Sequence, residues 1–146
     1  METRTILYVE DSQLDVELTK EVLKENKIIN PVIVTNDGVD ALEYLRSEGQ
    51  YQGRKPGNPG IILLDLKMPR MDGLEFLDIV KKDVRFKQIP IIMLTSSREE
   101  QDLIKGYDLG VNAYVVKPVD FAVFADVVKQ IGVFWAIINE LPSERG

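Results

Sequence analysis

Four short apolar runs in this chain each end on side chains that can do chemistry. Ile6-Leu7-Tyr8-Val9 gives way to the acid pair Glu10-Asp11, and Ile61-Ile62-Leu63-Leu64 gives way to Asp65. Ile91-Ile92-Met93-Leu94 ends on Thr95, and Tyr114-Val115-Val116 ends on Lys117. In an open α/β sheet, ligands collect beyond the carboxyl ends of the strands. Three carboxylates, a hydroxyl and an amine are therefore expected to share one pocket. Carboxylates ~4 Å apart repel by roughly 4 kcal/mol per pair at an effective dielectric of 20. Such a cluster either holds protons or recruits a hard cation. With oxygen ligands and no histidine in the chain, Mg²⁺ is the cation these residues suit. A carboxylate beside that metal can attack phosphorus and become an aspartyl phosphate. Lys117 could then clamp one phosphoryl oxygen while Thr95 donates a hydrogen bond to another. Taken singly, each residue has a plainer reading: solvated acids at a turn, a helix-capping Thr, a surface Lys. Their joint spacing is what favours a site.

The elements that must position these groups follow a repeating pattern. Aliphatic runs alternate with segments of helical period, the mark of a parallel sheet wrapped by helices. Ser12 is placed to cap a first helix whose Leu14, Leu18, Val22 and Leu23 fall on one side. Val32-Ile33-Val34 reads as a second strand, and Asn36-Asp37-Gly38 turns into a short helix around Ala41, Leu42 and Leu45. Asp72-Gly73 starts a helix with Leu74, Leu77 and Val80 inward, and Pro90 opens the fourth strand. A fourth helix is expected to carry Leu103, Ile104 and Tyr107 and to end near Gly110. Ala113 to Val116 forms the fifth strand, and Lys117-Pro118 leads into the last helix.

Two segments exceed a minimal unit of this kind. Residues 47–60 hold four glycines and two prolines, too many residues for an ordinary connection. They read as a surface insertion, with a partner-binding loop as the alternative. In the last helix, Phe121, Phe124, Val128, Ile131, Trp135 and Ile138 form a seam that Val123, Val127, Phe134, Ile137 and Leu141 widen. That width favours a self-association surface over extra packing within one chain.

Bulk properties narrow the function classes. The 146 residues suit one domain, and 45% hydrophobic content is ordinary for a globular core. A net charge of −6 disfavours a nucleic-acid binder. The longest strictly apolar stretch, Val133 to Ile138, is far short of the ~20 residues of a membrane helix. Zero cysteines exclude disulfides and agree with a cytoplasmic protein, and zero histidines mean that any phosphohistidine belongs to another molecule. No glycine-rich phosphate loop follows the first strand, which disfavours a nucleotide-binding fold.

The segments Ile6–Asp11, Asp37–Leu42, Leu63–Gly73, Ile91–Ser96 and Gly110–Pro118 together resemble the receiver domain of two-component response regulators over nearly the whole chain. The resemblance implies a flavodoxin-like α/β fold: a doubly wound, five-stranded parallel sheet in the order 2-1-3-4-5 with five helices. It implies a receiver over residues 1–141; the remaining 142–146 read as a tail, with no output domain expected after Leu141. Asp65 is then the phospho-acceptor. Asp11, Asp65 and the backbone carbonyl of Lys67 bind Mg²⁺ directly, and Glu10 assists. Thr95 and Lys117 bind the phosphoryl group, and the Lys117-Pro118 peptide is cis. Tyr114 matches an aromatic switch position that turns inward when Thr95 moves toward the phosphate, a placement an ordinary strand aromatic also satisfies. The Lys67 side chain is expected either to overhang the site and alter hydrolysis of the acyl phosphate, or to be simply solvated with only its carbonyl engaged.

A narrower likeness is to stand-alone receivers paired with cyanobacterial phytochrome-type histidine kinases. The implied partners are a sensor histidine kinase, of phytochrome type on the narrower likeness, or a histidine phosphotransfer protein, together with a second copy meeting through the last helix and fifth strand. The expected role is a phosphorylation-controlled binding module without multiple-turnover activity. An aspartate-nucleophile phosphatase is the enzyme alternative. Such enzymes carry a second Asp two residues after the nucleophile, where this chain has Lys67. A constitutive dimerisation adaptor is the third reading.

Overall fold

The computed structural model of the chain describes residues 5–96 and 110–130. Strands β1 (Ile6–Val9), β2 (Val32–Thr35), β3 (Ile61–Asp65), β4 (Ile91–Thr95) and β5 (Ala113–Val116) form one sheet in the order β2-β1-β3-β4-β5. Every pairing is parallel, with Ile6 beside both Val32 and Ile61, Asp65 beside Leu94, and Thr95 beside Val116. All five carboxyl ends therefore open on the same edge.

The sheet is buried on both faces, so its inner strands read as continuous apolar runs. Alternation divides each run between two cores. Leu7, Val9, Ile62, Leu64, Ile91 and Met93 pack with α2 (Gly38–Arg46) and α3 (Gly73–Lys82). Ile6, Tyr8, Ile61, Leu63, Ile92 and Leu94 pack with α1 (Gln13–Glu25) and the last helix (Phe121–Gln130). Most of these side chains are fully buried, each contributing about 1.5–3 kcal/mol of transfer free energy.

Helix starts follow the sequence signals. The Asp15 amide donates to Ser12 Oγ (3.2 Å), and the Asp40 amide donates to Asp37 Oδ1 (2.9 Å). Asp72 and Glu75 form a reciprocal capping box. One expectation is overturned. The inward stripe of α1 is Val16, Thr19 and Leu23, whereas Leu14 and Leu18 are 64% and 48% exposed. The helix is turned so that a polar residue, Thr19, faces Tyr8, and the leucine pair that dominates the hydrophobic count lies outside. The expected fourth helix, with Leu103, Ile104 and Tyr107, lies outside the described residues, as does the last-helix seam from Ile131 onward. Within the described part, Phe124 and Val128 are buried as expected.

Residues 47–60 are pinned to the domain rather than free. Gly49–Tyr51 form a 3₁₀ turn, Tyr51 meets Tyr44 edge-on at 5.2 Å, and Arg54 stacks 3.9 Å over the Tyr44 ring. Tyr51 Oη and Gln50 Nε2 donate to the buried Asp40 carboxylate.

Candidate functional site

The pocket is built where β1, β3 and β5 end. Glu10 follows β1, and its nearly inaccessible carboxylate accepts from Tyr8 Oη (3.4 Å) and the Ser12 amide (3.2 Å). Asp65 is the last residue of β3, and Lys117 directly follows β5. Carboxylate oxygens of Glu10, Asp11 and Asp65 lie within 4.8 Å of one another, two of the residues buried and Asp11 exposed. The Lys117 ammonium donates to Asp65 Oδ1 at 2.9 Å, Glu10 Oε1 at 3.0 Å and Asp15 Oδ2 at 2.7 Å.

The electrostatics follow from that crowding. Burial pushes the Asp65 carboxyl above its usual range, against the pull of Lys117. Glu10 is also raised, by burial and then by the neighbouring charge of Asp65. Burial opposes the charge on Lys117, but hydrogen bonds to Asp15, Asp65 and Glu10 override it and raise the ammonium's pKa. One cation thus serves three carboxylates, while Asp11 adds a further negative charge. Three converging hard oxygen donors, one of them the accessible Asp11 on the rim, suit a small divalent cation.

Thr95 closes β4, next in sheet order to β3. Its hydroxyl is fully buried and has no hydrogen-bond partner among the described residues, a cost of about 1–3 kcal/mol that an incoming acceptor would relieve. The Lys117-Pro118 peptide is cis, as expected. Lys67 lies in the exposed turn two residues past Asp65. Tyr114 stands apart from the acidic cluster: it packs on the α2–α3 face beside Met93, the face to which strand alternation assigns Thr95. Gly73 lets α3 start against the site. A Cβ there would collide with the Asp65 carbonyl oxygen, and the Gly73 amide donates to the Leu66 carbonyl at 2.8 Å.

A family model described as the response regulator receiver domain matches residues 6–129. The chain is a response regulator receiver domain. Receivers of this family act in phosphorylation-dependent two-component signalling and interact with histidine kinases. Response regulator Rcp1 of Synechocystis is 38% identical over 140 residues, 96% of this chain and 94% of that protein. Among solved structures, the bacteriophytochrome response regulator AtBRR is 52% identical with a TM-score of 0.88, covering 94% of this receiver and 98% of that chain. The phosphorylated cyanobacterial phytochrome response regulator RcpA is 38% identical with a TM-score of 0.70, covering 90% and 92%. Rcp1 has also been solved in a Mn²⁺-bound form, 39% identical with a TM-score of 0.69, covering 90% and 94%.

Two features of this receiver escaped the sequence reading. Asp15 reaches Lys117, and Tyr8 Oη touches Glu10 Oε1 (3.4 Å), the Asp15 carbonyl (3.4 Å) and Thr19 Oγ1 (3.2 Å). The 4-residue spacing Asp11, Asp15, Thr19 was the available signal, masked by placing the inward stripe of α1 on Leu14 and Leu18. Arg70, in left-handed backbone at φ 58°, clamps Asp37 through Nε (2.7 Å) and Nη2 (3.0 Å). It ties the turn after β3 to the cap of α2, a contact between distant segments that no local pattern announces.

Proposed function

We propose that this receiver accepts a phosphoryl group on Asp65 from a phosphohistidine of a sensor histidine kinase or a histidine phosphotransfer protein. An Asp65 oxygen attacks phosphorus, the P–N bond to the donor imidazole breaks, and the imidazole leaves carrying the bonding pair. The observation that carries this reading is the convergence of Asp65, Glu10 and Asp11 on one point with Lys117 2.9 Å from the acceptor carboxylate. Lys117 holds a non-bridging oxygen, and the unpartnered Thr95 hydroxyl donates to another. Glu10, Asp11, Asp65 and the Lys67 backbone carbonyl would hold Mg²⁺. Bound there, the metal supplies neutralising charge to the transferring group.

Phosphorylation brings about −1.5 to −2 charges to the pocket. Drawing Thr95 toward them, with Tyr114 following on the same sheet face, alters the surface around β5 and the last helix. The exposed Lys67 side chain, two residues past the acceptor, is expected to tune how fast water removes the phosphate. A second copy is expected to bind across that surface, where Val116 and Val123 are 49% and 48% exposed. The likeness to phytochrome-linked regulators favours a phytochrome-type kinase, and the net charge of −6 favours protein partners over nucleic acid. We place the chain in the cytoplasm with such kinases; no helix among the described residues is long and apolar enough to cross a membrane.

Light scattering after size exclusion, with and without beryllofluoride and Mg²⁺, tests both parts. Intact-mass analysis after acetyl phosphate treatment should show one phosphoryl adduct, lost with EDTA. No adduct in the presence of Mg²⁺ would refute the acceptor assignment.

A further inference from the structure

Asp15 makes the shortest of the three contacts to the Lys117 ammonium, 2.7 Å, yet it does not belong to the group of oxygens that converge for a metal. We propose that Asp15 is a positioning residue that holds Lys117 on the α1 side of the pocket and competes with the phosphoryl group for it. This rests on the acceptor reading above.

A lysine ammonium has three N–H donors, and here each meets a carboxylate: Glu10, Asp65 and Asp15. Glu10 and Asp65 also face the cation site, so their charge is shared when that site is filled. The Asp15 carboxylate, by contrast, faces Lys117 and is not among the oxygens that converge on the cation site. Its place is fixed from both sides: the Asp15 amide donates to Ser12 Oγ, and its carbonyl accepts from Tyr8 Oη. Its side chain is 30% exposed, so it can release Lys117 to solvent-side rearrangement where the buried Glu10 cannot. It flanks a cavity of about 360 Å³ lined also by Thr19, Ser96, Lys117 and Pro118, the open approach to Lys117 from the α1 side. A carboxylate in this position offsets the one ammonium that must meet the incoming anion. It keeps Lys117 paired before transfer and weakens its hold on the phosphoryl oxygens afterwards.

The test measures affinity for beryllofluoride at saturating Mg²⁺ by calorimetry on the full chain. Asp15→Asn should tighten binding about threefold or more, and Asp15→Ala, as a second variant, should do the same. Asp15→Glu, which keeps the charge, should stay near wild type. In a Lys117→Gln background the gain from Asp15→Asn should vanish. Unchanged or weaker binding in Asp15→Asn overturns the proposal, as does an equal gain with and without Lys117. If wild type binds beryllofluoride and Asp15→Asn merely matches it, only this inference fails. If wild type does not bind it, the acceptor reading fails and this proposal with it.

Discussion

Two groups of acids in this receiver sit in opposite circumstances. Asp40 is buried, and its carboxylate accepts from the Asn36 amide (3.0 Å), Gln50 Nε2 (2.6 Å) and Tyr51 Oη (3.1 Å). Asp37 is buried too, and it takes a bidentate Arg70 and the Asp40 amide. Every charge there is met by donors that the fold supplies. At the strand ends, Glu10, Asp11 and Asp65 crowd together, and Lys117 is shared with Asp15 as well. Thr95, at the end of β4, has a buried hydroxyl without a partner among the described residues. The first group holds a helix start and a loop in place. The second is left short of positive charge and of acceptors in complementary ways, deficits that the proposed cation and phosphoryl group would each fill. The difference separates acids that build the domain from acids free for the proposed chemistry.

The sharpest contrast is Asp65→Asn, which should abolish phosphorylation from acetyl phosphate entirely, by intact mass, while the protein stays folded. Asp40→Ala should do the reverse. It strands the Gln50 and Tyr51 donors and should cost about 2 kcal/mol in urea unfolding, with the acceptor still phosphorylated. In the same variant the Tyr51 phenol, pushed up to about 12 by burial and the Asp40 hydrogen bond, should titrate closer to 10, as read by ultraviolet absorbance. Asp11→Asn should weaken Mg²⁺ binding by at least roughly tenfold, by calorimetry. It should leave the unfolding midpoint unchanged or raised, because it relieves repulsion rather than breaking a pairing.

The smallest effect is expected for Arg70→Ala, and it should depend on pH. Burial would raise the Asp37 carboxyl, but the Arg70 hydrogen bonds and the Asp40 amide hold it below the ordinary 3.8. As pH falls, the unfolded chain therefore takes up this proton first. The clamp's stabilisation is complete above that ordinary value and is lost as pH drops through the depressed one. Wild type and Arg70→Ala should thus differ at neutral pH and converge in acid. A constant gap down to pH 2 would remove the clamp from the stability account.

Much of this was legible in the residues themselves. The continuous apolar runs announced buried parallel strands, since a strand covered on both faces needs no polar side. Glu10, Asp65, Thr95 and Lys117 were readable because each interrupts such a run at its carboxyl end. Ser12, Asp37 and Asp72 were readable as turn or cap residues because capping is local chemistry. The rotation of α1 was not legible. Leu14 and Leu18 outweigh Thr19 on any count of hydrophobicity, but Tyr8 buries its hydroxyl beneath that helix and requires polar partners there. Asp15 was hidden with it, and moving one residue round a helix turns a side chain by about 100°.

The sequence alone determined the alternation of strands and helices and the chemistry available at each strand end, because burial and capping depend on neighbours along the chain. Only the tertiary structure decided which charges meet. Lys117 contacts Glu10 and Asp15, more than a hundred residues away, and Arg70 in the turn after β3 closes on Asp37 in the turn after β2, across the end of β1. Such pairings depend on how the helices rotate against the sheet, and that is settled by satisfying buried polar groups together rather than one segment at a time.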